Sequence, residues 1–304
     1  MNRRSSIMSR YIGIAGLQLT RDPLDVRKNI AKFTEVAKAA KLDFPWIDLI
    51  FTGEYYLAEY KPGESWGVHA KEIPNEITDG MSELAKELET WIVPGTILER
   101  DGNKVYNTAL VYNRNGDIVA KYRKMFPWLP RENYDSGTDF VVFDFENVGK
   151  IGLAICYDIW IPEMIRTLTW MGAEIILQPT AATLPDRDTE LIITRANAIF
   201  NQVYVFGINT IYPQGGGQSI LTDPEGRILR QVGRHEEIMA EAIDLEKVSW
   251  LRQHGTSGNT PVWKSLRDSP IKGKFPIYEN LQKGEVFKNI GSLKIQDSIR
   301  EWTE

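Results

Sequence analysis

Cysteine and histidine are scarce in this chain of 304 residues. Its single cysteine, Cys156, excludes an intrachain disulfide and a cysteine-based zinc site. The three histidines, His69, His235 and His254, do not have the spacing of a metal-binding pair. We therefore expect a protein without disulfide, metal or cofactor.

Long apolar runs and an excess of one charge are also missing. No stretch of about 18 apolar residues occurs, so no segment is expected to span a bilayer. With 36 basic and 41 acidic residues the net charge is −5, which favours neither nucleic acid nor an anionic membrane as a partner. The basic N-terminus lacks the apolar core of a secretory signal. We expect a cytoplasmic protein in which residues 1–10 form a disordered extension.

Short apolar runs bounded by turn residues alternate with helical patterns, as is typical of α/β folds. Strands are predicted at Tyr11–Leu19, Ile47–Thr52, Trp91–Glu99, Val105–Asn113, Asp117–Tyr122, Lys150–Cys156, Glu174–Leu177, Val203–Asn209, Gln218–Thr222 and Arg227–Gln231. Helices are predicted from Leu24 to about Lys41, after a cap at Asp79, from Pro162 to Gly172, and over Asp188–Phe200.

The two halves of this pattern resemble each other. YIGIAGLQL matches KIGLAICYD, and TALVYNRNGDIVAKY matches QSILTDPEGRILRQV. Each half has the order strand, helix, strand, helix, strand, hairpin. Any α/β chain can show some similarity of this kind, but an internal duplication accounts for the whole order. Apolar strands flanked by helices then predict a four-layer α-β-β-α sandwich.

No linker rich in Pro, Gly or Ser separates the halves. We therefore predict one interlocked domain over residues 11–250. Beyond it the periodicity decays into a segment rich in Gly, Pro, Ser and Asn. Residues 251–304 are predicted to form a C-terminal arm.

Cys156 is the first candidate for chemistry. It follows the apolar run IGLAI and precedes the helix that Pro162 opens. An isolated Cys is commonly a buried core residue. However, ligands of parallel α/β sheets lie at the carboxyl ends of strands, and a nearby helix N-terminus favours the thiolate. The position therefore favours a nucleophile.

A thiol nucleophile needs a base, and the histidines lie in unremarkable polar contexts. A carboxylate is the better candidate. Glu54 follows the apolar run IDLIF, and Glu132 lies in the aromatic, proline-rich segment FPWLPRENY. Lys124 follows the run IVAKYR. Each of these could equally be a solvated surface residue when considered alone.

Together the segments GEYY, KYRKMFPW and LAICYDIWIPE resemble the nitrilase superfamily of carbon–nitrogen hydrolases. The resemblance extends from about Tyr11 to Trp250 and implies an α-β-β-α sandwich of duplicated halves. It also implies a catalytic triad of Glu54, Lys124 and Cys156, with Glu132 as a second acid. The stretch YRKMFPWLPRE is most similar to the aliphatic amidase and formamidase branch. Two positions depart from the family pattern: Gly53 replaces a common proline, and no His-Leu pair follows the lysine.

The resemblance implies an amidase-type hydrolase acting on carbon–nitrogen bonds other than peptide bonds. Glu54 would take the thiol proton, and Lys124 with the Tyr157 backbone N–H would stabilise the oxyanion. The partners would be a small-molecule amide and water, and the family implies a homo-oligomer. A nitrile hydrolase and an acyltransferase using the same triad remain alternatives.

The residues after the nucleophile bear on the substrate. Tyr157-Asp158 is similar to the amidase side of the superfamily, whereas nitrilases usually have Trp-Glu there. Ile159 and Trp160 occupy the place where carbamoyl-amino-acid hydrolases of the family have a carboxylate-binding arginine. We therefore expect a small neutral amide. The residues proposed to contact it are Tyr55, Trp128, Tyr134, Tyr157, Trp160 and Thr180.

Overall fold

The computed structural model describes residues 10–61, 63–129, 131–211, 215–271, 275 and 278. Residues 1–9 of the predicted extension, and 272–304 of the predicted arm apart from 275 and 278, lie outside the described residues. The limits of the domain at 11 and 250 stay a prediction. Among the described residues no helix is both long and apolar enough to cross a membrane.

Strands and helices alternate in the predicted order. The strands are β1 (Tyr11–Gln18), β2 (Leu49–Thr52), β3 (Trp91–Val93), β4 (Thr96–Asp101), β5 (Lys104–Tyr112), β6 (Ile118–Arg123), β7 (Val142–Phe145), β8 (Gly149–Leu153), β9 (Ile175–Thr180), β10 (Tyr204–Asn209), β11 (Ile220–Thr222), β12 (Ile228–Gln231) and β13 (Glu237–Asp244). The α-helices are α1 (Val26–Asp43), α2 (Glu76–Leu88), α3 (Pro162–Trp170), α4 (Leu184–Asn201), α5 (Glu246–His254) and α6 (Val262–Asp268).

The strands form two sheets of related topology. The first has the order β13-β1-β2-β3-β5-β4, with β6 also paired to β5, and the second has the order β12-β11-β10-β9-β8-β7. In the first sheet β1, β2 and β3 are parallel, and β5 and β6 continue it in antiparallel pairs. In the second sheet β8, β9 and β10 are parallel, and β11 and β12 continue it in the same way. The predicted duplication is therefore visible as two copies of one strand arrangement.

The layers follow from alternation along the strands. Ile12 and Ile14 of β1 belong to the cluster packed between the sheets, whereas Ala15 and Leu17 face helices α1 and α2. Phe51 of the first sheet meets Phe206 of the second edge-on, with ring centroids 4.8 Å apart. Each fully buried side chain of this size stabilises the fold by roughly 1.5–3 kcal/mol.

The sheets approach closely at one glycine. A Cβ atom on Gly16 of β1 would clash with the Ile208 Cδ1 atom of β10. Helices α1 and α2 cover the outer face of the first sheet, and α3 and α4 cover that of the second. The predicted α-β-β-α sandwich is confirmed.

Local boundaries differ where side-chain capping or a turn decides them. Helix α2 is capped by Asn75, whose side chain accepts the N–H groups of Ile77 and Thr78, and not by Asp79 as predicted. The predicted strand over 91–99 is two strands, because the chain turns at Gly95 with φ +79. That turn brings the Gly95 backbone against the Gly53 carbonyl, beside Glu54.

Two edge strands, helices α5 and α6, and the start of helix α4 were missed by the sequence prediction. Strand β7 pairs antiparallel with β8, and β13 pairs antiparallel with β1. Strand β7 has only four residues, and the buried residues of β13 do not alternate regularly, so neither strand gives a clear pattern in the sequence. Helix α4 begins at Leu184, one turn before the predicted Asp188, with proline in its first turn.

Candidate active site

The nucleophile candidate lies on a sharp turn. Strand β8 ends at Leu153, three residues earlier than predicted, and Cys156 begins a single turn of 3-10 helix that extends to Trp160. The φ angle of Cys156 is +46. Such a value is uncommon for a residue with a side chain, and it is found where the surroundings impose it, often at functional sites. The turn presents the thiol at the carboxyl end of the second sheet.

Both acids and the lysine converge on this turn. Glu54 follows β2 by two residues, and Lys124 directly follows β6. The Lys124 Nζ atom donates to Glu54 Oε1 at 2.9 Å and to Glu132 Oε2 at 2.7 Å. All three side chains are buried, and Glu54, Glu132 and Cys156 line one cavity. The structure thus places the four predicted catalytic residues together.

Burial and charge set the proton affinities of the group. Burial raises the pKa of Glu54 to about 7, the Glu132 charge raises it as well, and the Lys124 charge opposes the rise. Burial lowers the pKa of Lys124, but the charges of Glu132 and Glu54 outweigh it and hold the pKa well above its usual range. The Lys124 charge keeps the pKa of Glu132 below its usual range in spite of burial.

The thiol is protonated at neutral pH. Burial raises the pKa of Cys156 well above its usual range, and the charge of Glu54 acts in the same direction. A nearby base is therefore required to form the thiolate. Glu54 is suited to that task, because a base works best when its pKa is near the working pH.

The two carboxylate oxygens of Glu54 are not equivalent. Oε1 accepts from Lys124 Nζ and, at 2.8 Å, from the Asn107 Nδ2 atom. Oε2 is buried and accepts no N–H or O–H hydrogen bond within the described part of the chain. Oε2 is thus the oxygen left for proton transfer.

Glu132 is held by two further donors besides Lys124. Its Oε1 atom accepts from the Tyr55 hydroxyl at 2.6 Å, and its Oε2 atom accepts from the Trp128 backbone N–H at 2.7 Å. The Tyr55 and Tyr134 hydroxyl groups lie 2.8 Å apart. Both tyrosines are buried. The Tyr55 hydroxyl holds Glu132 directly, and the Tyr134 hydroxyl contacts that of Tyr55.

The cavity beside Cys156 has a volume of about 260 Å³. Of the six residues predicted to contact substrate, Trp128, Tyr157 and Trp160 line it. Tyr55, Tyr134 and Thr180 are not among its described lining residues. The described residues that line the cavity are Glu54, Trp128, Glu132, Cys156, Tyr157, Trp160, Ala181, Ala182, Thr183, Asp186 and Glu190.

Glu190 of α4 was not predicted. It is buried, and its Oε2 atom pairs with Arg187 Nη1 at 2.6 Å. Its Oε1 atom accepts from Gln178 Nε2 at 2.8 Å and from Thr180 Oγ1 at 3.2 Å. Gln178 Nε2 also donates to the Cys156 carbonyl at 3.3 Å. Thr180 therefore belongs to a polar network beneath the nucleophile.

Asn107 was also missed, although a polar residue inside the apolar run VYNTALVY is a detectable signal. Glu190 has no such signal, because an acid is ordinary on an amphipathic helix. In the described residues, no group of three or more His, Cys, Asp or Glu side chains is arranged to hold a metal ion. The arrangement can activate a thiol and stabilise a developing oxyanion.

Residues 13–253 match the family model described as carbon-nitrogen hydrolase. The human protein named omega-amidase NIT2 is 30% identical over 228 residues, which are 70% of this chain and 79% of the human protein. Omega-amidase NIT3 of Saccharomyces cerevisiae is 28% identical over 272 residues, covering 82% of this chain and 92% of the yeast protein.

Solved structures agree with this match. Nit3 of Saccharomyces cerevisiae, described as a member of branch 10 of the nitrilase superfamily, superposes with a TM-score of 0.71 at 27% identity. The match covers 80% of this chain and 93% of the yeast chain. A carbon-nitrogen hydrolase from Helicobacter pylori shares the fold, with a TM-score of 0.75 at 23% identity over 91% of this chain and 99% of that chain. The narrower resemblance to aliphatic amidases and formamidases stays a prediction.

Proposed function

The chain belongs to the carbon–nitrogen hydrolase family as an amidase-type enzyme, and from this premise we propose that it hydrolyses a small neutral amide through a thioester on Cys156. The observation that carries the proposal is the convergence of Glu54, Lys124 and Glu132 on the Cys156 turn. These groups supply a base, a fixed positive charge and a nucleophile beside one cavity.

The first half of the reaction forms the thioester. Glu54 Oε2 takes the thiol proton while the sulfur attacks the amide carbonyl carbon. The carbonyl oxygen becomes an oxyanion beside Lys124 Nζ and the Tyr157 backbone N–H. As the carbon–nitrogen bond breaks, Glu54 returns the proton to the leaving nitrogen. Ammonia or an amine departs and leaves the acyl group on Cys156.

The second half releases the acid. Glu54, again ionised, takes a proton from a water molecule that attacks the thioester carbonyl. The carbon–sulfur bond then breaks, and the proton returns to the thiolate. Glu132 holds Lys124 in place throughout, since its Oε2 atom lies 2.7 Å from Nζ.

The lining of the cavity supports a neutral substrate. Its described residues include no lysine or arginine, and Lys124 is already paired with two carboxylates. Arg187, a candidate for binding a substrate carboxylate elsewhere, is fully buried and paired with Glu190. Arg131 is the second arginine that could bind a substrate carboxylate. Its guanidinium lies 5.2 Å from the centre of the Trp128 ring, and it is not among the described residues that line the cavity.

The omega-amidase names of the relatives favour an amide over a nitrile. An ammonia-release screen with short neutral amides, ureas, nitriles and N-carbamoyl amino acids tests the substrate class. Hydroxylamine, added during turnover, should trap the thioester as a hydroxamate. Cys156→Ala is the matched control for both assays.

We expect short amides to be hydrolysed fastest and the hydroxamate to form only with an intact Cys156. A clear preference for an N-carbamoyl amino acid would refute the neutral substrate but leave the mechanism standing. Preferred hydrolysis of a nitrile would establish the alternative reaction on the same residues. Hydroxamate formation by Cys156→Ala would rule out the thioester.

A further inference from the structure

Two buried side chains join the segments that carry Cys156 and Lys124. Tyr122 lies in β6, two residues before Lys124, and Asp158 lies two residues after Cys156. Both are fully buried. The Tyr122 hydroxyl donates to Asp158 Oδ2 at 2.6 Å. Because β6 belongs to the first sheet and the Cys156 turn follows the second, this hydrogen bond crosses between the two halves of the sandwich.

The Asp158 carboxylate also holds backbone on both sides. Oδ2 accepts the Ile155 N–H at 2.7 Å, directly before the nucleophile. Oδ1 accepts the Phe126 N–H at 2.9 Å, two residues after Lys124. The Tyr122 hydroxyl in turn accepts the Met125 N–H at 3.3 Å. The two carboxylate oxygens of Asp158 thus accept three hydrogen bonds. These hydrogen bonds link the Cys156 turn to the loop that follows Lys124.

We propose that Asp158 and Tyr122 act as positioning residues that fix Cys156 relative to Lys124 and Glu54. Neither is among the described residues that line the cavity, so neither is placed to touch substrate. The positive φ of Cys156 needs such support, because an unsupported residue would relax to a more favourable backbone conformation. This proposal rests on the proposed function of the four catalytic residues.

A carboxylate is specifically required at this position. Burial raises the pKa of Asp158 to about 6, and the Lys124 charge and the Tyr122 hydrogen bond limit the rise. The side chain is therefore mainly ionised at neutral pH and above, where both oxygens accept. An asparagine would turn its NH₂ group toward at least one of the three donors. Asp158→Asn consequently breaks the link while it preserves the volume of the side chain.

The variants Asp158→Asn and Tyr122→Phe test the proposal, with kcat, KM and the unfolding temperature measured for each. Asp158→Asn should lower kcat by about 10²-fold, the effect of misplacing reacting groups by about 1 Å. Tyr122→Phe, which removes only one hydroxyl, should lower kcat by roughly tenfold. KM should change much less than kcat, because the link acts on reacting groups and not on substrate binding.

Two matched controls separate positioning from stability. Asp223→Asn alters another buried aspartate, which accepts the backbone N–H groups of Glu225 and Arg227 in the β11–β12 turn. Tyr112→Phe removes a buried hydroxyl that has no hydrogen-bond partner in the described part of the protein. Both controls should retain wild-type kcat. A kcat loss in Asp223→Asn as large as in Asp158→Asn, at an equal fall in unfolding temperature, would overturn the proposal.

A second measurement is independent of amide hydrolysis. The rate of Cys156 alkylation by iodoacetamide near pH 7 should fall in Glu54→Gln, because the half-buried thiol, whose pKa is raised, needs Glu54 as proton acceptor. In the Asp158→Asn background, adding Glu54→Gln should lower the alkylation rate little further, because Cys156 and Glu54 are already out of alignment. An equal effect of Glu54→Gln in both backgrounds would refute positioning even if no amide substrate is found.

Discussion

Removing the lysine at the centre of the site tests the electrostatic reasoning most directly. Lys124 is fully buried, and its Nζ atom lies 2.9 Å from Glu54 and 2.7 Å from Glu132. Lys124→Met keeps a similar length and volume but leaves two carboxyl groups in the same dry space. Breaking a buried ion pair in this way costs about 3–5 kcal/mol when the remaining charge stays uncompensated.

Protonation of a carboxyl group reduces that cost, and this predicts a change in pH dependence. The Lys124 charge opposes the effect of burial on Glu54, whose pKa is about 7. Without the lysine, that pKa rises further. A base must be deprotonated to act, so kcat/KM should rise with pH through about 7 in the wild type. In Lys124→Met the same rise should occur at higher pH.

Turnover should also fall at every pH. In the proposed mechanism Lys124 provides a charge beside the oxyanion, and loss of one such donor lowers kcat by about 10²–10³-fold. Lys124→Arg should suffer a comparable loss, because the planar guanidinium does not fit a site built around a compact ammonium group. Lys121→Met is the matched control, since Lys121 lies in β6, the strand that Lys124 follows, but is partly exposed and pairs with Glu99.

The assay is ammonia release from a short amide, followed on both sides of pH 7 for all three variants. The unfolding temperature is measured in parallel, so that a misfolded variant is recognised. If kcat/KM of Lys124→Met rises over the same pH range as that of the wild type, Lys124 does not set the pKa of Glu54. If Lys124→Arg keeps full turnover, the lysine has no role in the transition state.

Four further substitutions, at three residues, address the remaining groups. Cys156→Ala and Cys156→Ser should abolish hydrolysis without unfolding the protein. Iodoacetamide should inactivate the wild type at one equivalent. Activity of Cys156→Ala would exclude Cys156 as the nucleophile. Glu132→Gln should lower kcat by at least about tenfold, because Lys124 loses a charged partner 2.7 Å away. Wild-type turnover of Glu132→Gln would contradict the role of Glu132 in holding Lys124. Asn107→Leu removes the second donor to Glu54 Oε1 and should lower kcat by roughly tenfold with little change in KM. A change in KM alone, with kcat unaffected, would argue against a role of Asn107 in positioning Glu54.

The order of elements could be predicted from the sequence because it depends on local pattern. Apolar runs of strand length and helical repeats of three and four residues are visible without tertiary structure. The duplication also follows from local pattern, since both halves repeat the same order of elements. The edge strand β13 was missed because pairing with β1 stabilises it more than its own residues do.

The catalytic candidates could be found because the family motifs around Glu54, Lys124 and Cys156 are short and contiguous. Their supporting residues could not. Asn107 lies 53 positions from Glu54, and Asp158 lies 36 positions from Tyr122. The first contact forms when strands within one sheet come together and the second when the two sheets pack, and no local pattern encodes either.

The sequence by itself therefore determined the fold class and the family, and it predicted the candidate reactive groups. The tertiary structure decided which groups face the cavity and which support others. It placed Tyr55 and Tyr134 behind Glu132, although their aromatic character suggested substrate contact. It also decided the proton affinities, because the pKa of Glu54 depends on burial and on the distances to Lys124 and Glu132. Those quantities arise from packing of residues distant in the chain, so they exist only in the folded protein.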